Sequence, residues 1–319
     1  MAVGEFELIR RYFDRGFTSS SVSLGVGDDC ALLRVPENRE LAVSVDTLVA
    51  GVHFPENGDP QKIAHRALSV SLSDLAAMSA DPHWFTLCIT LPDADENWLA
   101  GFSKGLFEAA TQYDCELVGG DTTRGPLSLS LQVMGSVPSD LALRRSGACV
   151  GDSLFVTGTV GDGAAALAAM LGKVKVSHEA YGYLMQRYYQ PRPCFKEAQA
   201  LRGIASSAID VSDGLAQDLS HICVASQVGA IIDLPALPIS SAVEACGTTS
   251  QQREWALHGG DDYQLCFTVP PENLVKLKKC IDRGLSVTHI GEIIAEQQLM
   301  GRTQGKLYPL KKSGYQHFG

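Results

Sequence analysis

Two short strings recur at nearly the same spacing in the two halves of the chain. SLSDLAAM carries Asp74 and VGGDTT follows with Asp121, 47 positions on; DVSDGLAQDL carries Asp213 and HGGDDYQL follows with Asp261, 48 positions on. A Ser-Asp string answered at that distance by Gly-Gly-Asp constrains the chain to two modules of related design rather than one continuous core. The 319 residues agree, being about two domains by the usual size range.

Hydrophobic periodicity fills in the modules. EFELIRRYF (5–13) has helical spacing, LAVSVDTLVAG alternates as a strand expected to end near Asp46, and PQKIAHRALSVSLSDLAAMSA is a long helical pattern. WFTLCITLP, ELVGGD and LSLSLQVMGSVP read as strands, with GGD in a turn, and ENWLAGFSKGLFEAATQY reads as a helix. A glycine-rich connection at 147–151 then restarts the mixture, with strands at LFVTG, SAIDVSDG, AIIDL, DDYQLCFTVP and VTHIGEII. Helices are expected in the alanine-rich run after GTVGDG, at LAQDLSHICVAS and near Gln251. The order describes α/β modules with mixed sheets, divided into residues 1–148 and 149–319.

Composition narrows the partners. A net charge of −10 without any basic block argues against a nucleic-acid backbone. Anionic small molecules stay open, because bound metal ions invert the local sign of a site. No secretory leader pattern and no apolar run of about 18 residues is found, so neither secretion nor a membrane span is expected. Nine cysteines scattered without a CxxC pair suit reduced thiols in a cytoplasm.

The chemistry lies in aspartates. Asp28, Asp29, Asp46, Asp74, Asp121, Asp210 and Asp213 fall at expected strand ends or helix starts, usually beside Gly or Ser. The apolar flanks of GVGDDCALL are expected to turn at least one of its carboxylates toward poor solvent. Taken singly, Asp74 and Asp213 read as helix N-caps; GDD, VDT and GGD have no such reading. If these carboxylates converge, each pair at about 5 Å costs roughly 3 kcal/mol at an effective dielectric near 20. Oxygen-only ligands then favour Mg²⁺, and Mg²⁺ commonly accompanies phosphates. P-loop, kinase HRD or DFG, and GxSxG strings are missing. GTVGDG lacks the dinucleotide order and reads as close strand–helix packing rather than an anion site.

Together, GVGDDCALL, SVDTLVAGVHF, SLSDLAAMSADP, LVGGDTTRGPLSLSLQVMG, RSGACVGD, LFVTG, IDVSDGLAQDL, HGGDDYQLCFTVP and GYQHF resemble the thiamine-monophosphate kinase family, in order and over nearly the whole chain. That family is one branch of the aminoimidazole ribonucleotide synthetase-like ATP-binding superfamily. The resemblance implies the two-domain α/β fold of that superfamily and a homodimer joined through the N-terminal sheets. It implies an ATP cleft lined by acidic residues and transfer of the ATP γ-phosphoryl group to thiamine monophosphate. By motif, Asp29, Ser44, Val45 (through its carbonyl), Asp46, Asp74, Asp121, Asp210 and Asp213 would hold several Mg²⁺ ions. Tyr113, Gly120, Asp121, Arg145 and Ser212 would contact ATP, and His53, Asp261 and Tyr315 the thiamine phosphate. No general base is required, because the acceptor is already an anionic phosphate.

Without the resemblance, His53 reads as a loop histidine, Arg145 as a surface arginine and Tyr315 as the anchor of a tail. The chain departs from the family at GGDDYQ, where GGEDYE is usual: Asp261 is one methylene shorter, and Gln264 replaces an acid. Valine at 45 stands where threonine is common. Other synthetases of the superfamily and a non-enzymatic Mg²⁺-binding module are the rival readings. Among the former, selenophosphate synthetase is disfavoured because Cys30 sits in an apolar run, and the superfamily's hydrogenase maturation factor is disfavoured because Cys280 is the last cysteine.

Overall fold

The computed structural model describes residues 4–311, 314, 315 and 317. They divide into two compact units, Met1–Leu75 with Ala80–Asp140, and Ala76–Ser79 with Leu141–Gly319.

The first unit runs α1 (Glu5–Leu8, continued by a π-helical turn, Ile9–Phe13), β1 (Val22–Leu24), β2 (Leu32–Leu33), β3 (Arg39–Val49), α2 (Pro60–Ala77), β4 (Asp81–Leu91), α3 (Glu96–Gln112), β5 (Glu116–Arg124) and β6 (Ser128–Pro138). β1 and β2 form a small antiparallel ribbon. The remaining strands make a sheet in the order β3-β6-β4-β5, with β4–β5 parallel and the other pairs antiparallel. The period-two pattern sorts residues by face: on β3, Ser44, Asp46 and Leu48 alternate with exposed Val43, Val45 and Thr47. Leu129, Leu131 and Val133 of β6 are fully buried, as are Ile63, Leu68 and Leu72 of α2 and Leu99, Phe102 and Leu106 of α3. Each such burial contributes about 1.5–3 kcal/mol. Asp95 caps α3 by accepting from the N–H groups of Asn97 and Trp98.

The second unit contains β7 (Ser153–Thr157), α4 (Asp162–Met170), α5 (His178–Tyr189), α6 (Phe195–Leu201), β8 (Ser207–Asp210), α7 (Leu215–Ser226), β9 (Gly229–Asp233), α8 (Ser241–Cys246), α9 (Thr249–His258), β10 (Leu265–Val269), α10 (Leu274–Asp282), β11 (Val287–Ile294), β12 (Leu299–Thr303) and β13 (Lys306–Pro309). Its seven-stranded sheet has the order β13-β12-β9-β11-β7-β10-β8, and β9–β12 is the parallel pair. Leu154, Val156, Ile209 and Cys266 pack with Leu215, Leu219 and Ile222 of α7. Phe155 and Phe267 pack on the other side with Ala198, Leu201 and Leu277. Cover on both faces explains why β10 is buried at every position rather than at alternate ones.

Four local expectations change. β3 continues to Val49, so Asp46 lies inside the strand rather than at its end. The GGD of the first unit lies within β5, not in a turn. Asp74 falls in the last turn of α2, which excludes the N-cap reading. Asp28 and Asp29 lie in the loop between β1 and β2, and both are exposed. Neither therefore faces poor solvent: the apolar flanks close a ribbon, and the aspartates occupy its tip.

The segment preceding β1 is tied to the first unit by polar bonds, exposed at Glu116 and more buried at Trp84 and Ser103. Glu116 Oε1 accepts from Thr18 N–H (2.6 Å), Thr18 Oγ1 (2.8 Å) and Ser19 N–H (2.9 Å). Trp84 Nε1 donates to Ser21 Oγ, and Ser103 Oγ donates to Tyr12 O. Burial alone would raise the Glu116 pKa; the three donors outweigh it, and the value lies below the ordinary 4.5. A depressed carboxylate stabilises the fold fully above its unfolded pKa, and that stability is lost as pH falls through the lowered folded value. Below pH 4.5 the wild-type thermal midpoint should therefore fall more steeply than that of Glu116→Gln. Parallel pH profiles for the two proteins would contradict this latch.

Candidate active site

In the first unit a cavity of about 640 Å³ is lined by the loop 25–31, residues 117–122 of β5, residues of β4, and the apolar side chains Phe6, Ile9 and Phe13. It gathers Asp29, Gly120 and Asp121, three residues singled out from the sequence. The β4–β5 register shifts between Phe85 and Thr86, and Gly120 takes φ +151°. A Cβ there would lie 1.9 Å from the carbonyl oxygen of Leu87, so only glycine fits this approach of backbone to backbone. Asp28 Oδ1 accepts from the Asp29 N–H at 2.8 Å. Asp28 thus holds the turn, and its neighbour Asp29 is the exposed carboxylate not engaged in that bond.

The second feature of this unit is acidic. Ser44 Oγ donates to Asp74 Oδ2 at 2.5 Å. Burial, then the charge of Asp74, push the Asp46 carboxyl up to about 6, against the opposing hydrogen bond of Ser71. Asp74 also sits at the C-terminal end of α2, where the helix dipole disfavours negative charge. Val45 points the other way, with 63 % of its surface exposed. Across the sheet Asp46 pairs with Leu131, Leu131 with Leu87, and Leu87 with Gly120. Acidic pair and cavity therefore share one row, with Asp46 roughly 10 Å from Leu87 at the cavity wall and roughly 14 Å from Gly120 at a strand spacing of about 4.8 Å.

His53 and Tyr113 make structural contacts in the same unit. His53 Nδ1 accepts from Val49 N–H at 2.9 Å, closing the turn after β3. Tyr113, the C-cap of α3, accepts from Ser69 Oγ and meets the His65 ring edge-on.

The second unit builds its site on the loop 211–214 after β8. Asp210 ends the strand and is 5 % exposed. Asp218, a residue that sequence reasoning missed, turns back from the first turn of α7. Its Oδ2 accepts from the N–H groups of Ser212 (3.0 Å), Asp213 (3.0 Å) and Gly214 (3.1 Å). The amides at the start of α7 are thus satisfied by Asp218, and the N-cap reading of Asp213 fails; its side chain accepts from Gln217 Nε2 instead. Burial, then the charges of Asp210 and Asp213, push Asp218 up to about 7, opposed by the N–H groups of Asp213 and Gly214. The only sequence signal for Asp218 is an acid in the first turn after a Gly start, a pattern shared by many helices.

Two other candidates are tied to the same loop. Asp261 N–H donates to Ser212 O at 2.9 Å, and Tyr315 N–H donates to Asp213 O at 3.2 Å. Arg145 is exposed in a connection pinned alongside, where Ser226 Oγ donates to Arg145 O and Ala208 N–H donates to Arg144 O. Gln264 is not part of this surface. It is buried, accepts from Thr157 Oγ1 and donates to Asp262 O, so an acid at this position would lose the donor that the site uses. The GTVGDG turn combines the two readings weighed for it. A Cβ at Gly163 would lie 2.5 Å from Gly260 O, which is close packing, and the N–H groups of Gly161 and Gly163 are taken by the Asp262 side chain, an acceptor from within the chain.

These donors suit a hard cation. Asp46 and Asp74 offer paired carboxylates with Ser44 beside them, and Asp210 and Asp213 both act on Asp218, with no His or Cys in either set. Among the described residues no group of three His, Cys, Asp or Glu is gathered as a closed cage. Such pairs match Mg²⁺, which keeps several waters and is bound through one or two carboxylates plus phosphate oxygens.

Replacing Asp218 with Ala orphans one buried amide, Gly214, and two half-buried ones, Ser212 and Asp213; a fully buried orphan costs about 1–3 kcal/mol. Hydrogen exchange at residues 212–214 should accelerate in this variant while that of β10 changes little. Unchanged exchange at 212–214 would contradict the anchoring role.

Comparison with known proteins follows the same division. The N-terminal domain of the AIR synthase related proteins matches residues 27–137, and their C-terminal domain matches residues 150–302. The thiamine-monophosphate kinase of Escherichia coli O157:H7 is 51 % identical over 100 % of this chain and 99 % of its own. The crystal structure of thiamine-monophosphate kinase from Stenotrophomonas maltophilia K279a is 41 % identical, with a TM-score of 0.82 over 94 % of this chain and 96 % of its own. The complex of AaThiL with AMPPCP and TMP is 29 % identical, with a TM-score of 0.79 over 89 % of each chain. The chain belongs to the thiamine-monophosphate kinase family of AIR synthase related proteins.

Proposed function

We propose that the protein transfers the γ-phosphoryl group of ATP to thiamine monophosphate, giving thiamine diphosphate and ADP. The observation that carries this reading is the Asp46–Asp74 pair: two carboxylates forced together, one at the wrong end of a helix for its charge. Such an arrangement is stable with a cation and wasteful without one. The likeness to a relative whose solved complex contains AMPPCP and TMP supports the two co-substrates.

In this reading Asp29, Ser44, Val45 (through its carbonyl), Asp46, Asp74 and Asp121, with Asp210 and Asp213, hold Mg²⁺. When bound, Mg²⁺ neutralises phosphate charge and draws the two polyanions together. Gly120 and Ser212 offer backbone and hydroxyl contacts to ATP, Arg145 a bidentate cation for phosphate, and Tyr113 a lesser contact. His53, Asp261 and Tyr315 bind thiamine monophosphate, with the Tyr315 ring suited to a cationic heterocycle. The acceptor phosphate is itself the nucleophile, so these side chains bind and orient and none needs to remove a proton.

Residues 1–148 carry the ATP and Mg²⁺ functions and the homodimer interface, and residues 149–319 supply the remaining ligands. The dimer is supported by β3, an edge strand whose Leu41, Val43 and Val45 are 48–63 % exposed on one face. The nine thiols suit the reducing cytoplasm. No helix among the described residues is long and apolar enough to cross a membrane.

The direct test supplies ATP, Mg²⁺ and a panel of phosphomonoesters, and follows thiamine diphosphate and ADP. Absence of thiamine diphosphate with every divalent ion tried would overturn the assignment. Asp74→Asn and Asp213→Asn should each lower kcat/KM by about 100-fold. Neither should cost more than about 0.5 kcal/mol of stability, because each relieves repulsion rather than removing a cap. Calorimetric unfolding beside steady-state kinetics separates the two effects; parallel losses of activity and stability would contradict a ligand role.

A further inference from the structure

Asp261 is held in an unusual backbone state. Its φ is +70° and that of Tyr263 is +51°, both in the left-handed region that non-glycine residues seldom occupy. Such a segment persists only where its surroundings over-determine it, and here the two flanking residues do so. Asp262 is 1 % exposed and accepts from Gly161 N–H at 2.6 Å through Oδ2 and from Gly163 N–H at 3.1 Å through Oδ1. One carboxylate thus grips the first turn of α4. Arg187 reinforces the grip: its Nη2 donates to Asp262 O, and its Nε pairs at 3.0 Å with Asp162, which is fully buried. On the other side Tyr263 OH donates to Asp261 Oδ1 at 3.0 Å, fixing the carboxylate itself, and Tyr263 N–H donates to Val211 O.

We infer that Asp262 and Tyr263 are positioning residues that hold Asp261 in its substrate-binding orientation. The inference rests on the proposed role of Asp261 toward thiamine monophosphate. Asp262 fixes the main chain by anchoring it to α4, and Tyr263 fixes the side chain by its hydroxyl. The buried network of Asp162, Arg187 and Asp262 is therefore tied to one substrate contact rather than to packing alone. The shorter acid at 261 makes this matter more, since aspartate has fewer torsions with which to recover a displaced position.

The test uses the full-length protein and three variants, Tyr263→Phe, Asp262→Asn and Asp261→Asn, with KM measured separately for ATP and thiamine monophosphate. Tyr263→Phe keeps the ring and removes only the hydroxyl, so it serves where Asp262→Asn fails to fold. The expected result is a rise of about tenfold in KM for thiamine monophosphate in Tyr263→Phe, and more in a folded Asp262→Asn, with KM for ATP within about twofold. A purely structural role would lower thermal stability and leave this split between the two KM values absent. KM for thiamine monophosphate unchanged in Tyr263→Phe, or raised equally with that for ATP, overturns the inference. If Asp261→Asn alone raises KM for thiamine monophosphate, the positioning inference fails and the reading of Asp261 stands. If Asp261→Asn leaves it unchanged, the reading of Asp261 fails and takes the inference with it.

Discussion

The structure depends on how it tolerates carboxylates that crowd one another. Asp46 beside Asp74, and Asp218 beside Asp210 and Asp213, are each pushed toward the protonated form by burial and by their neighbours. Pairs of this kind cost roughly 3 kcal/mol each at about 5 Å, a sizeable part of the 5–15 kcal/mol by which domains are usually stable. The fold offsets the charge locally with donors: Ser44 on Asp74, and three backbone amides on Asp218. Those donors orient the carboxylates without neutralising them. In the proposed reading a divalent cation would supply the positive charge that the donors leave missing.

The two units solve the same problem by different means. In the first, an edge strand and the last turn of a helix bring Asp46 and Asp74 together, and a glycine with no room for a Cβ brings β5 close to its neighbour beside Asp121. In the second, a carboxylate inside the helix folds back over the loop that bears Asp213. A second internal carboxylate, Asp262, does the same for the turn before α4. Both use backbone N–H groups at a helix start, a place where proteins often bind external anions. Here the chain fills those places itself, so the candidate ligands are the acids that these loops carry rather than the amides.

Much of this was legible before any coordinates. Alternation in LAVSVDTLVAG and LSLSLQVMGSVP marks β3 and β6, and the helical spacing of ENWLAGFSKGLFEAATQ and LAQDLSHICVAS marks α3 and α7, because one face of each element is buried. The acidic strings pointed to Asp29, Asp121, Asp213 and Asp261, which the fold gathers around one cavity and one loop. Other features could not be read. Ser-Asp before Leu-Ala-Ala looks like a cap, although the long helical pattern from Pro60 already runs through it; α2 confirms that pattern and puts Asp74 at the other end of its helix. The roles of Asp218 and Asp262 depend on where a loop returns in space, which neither period nor spacing encodes. Gln264 looked like a lost acid at the substrate and is a buried amide whose donor and acceptor are both used.

The central claim is that the crowded aspartates exist to bind nucleotide through a divalent cation. Calorimetric titration of AMPPCP into the protein, with Mg²⁺ and then with EDTA, tests it most directly. The account predicts binding with Mg²⁺, its loss in EDTA, and marked weakening in Asp46→Asn even with Mg²⁺ present. Equal affinity with and without the cation, or an undiminished Asp46→Asn, would contradict it.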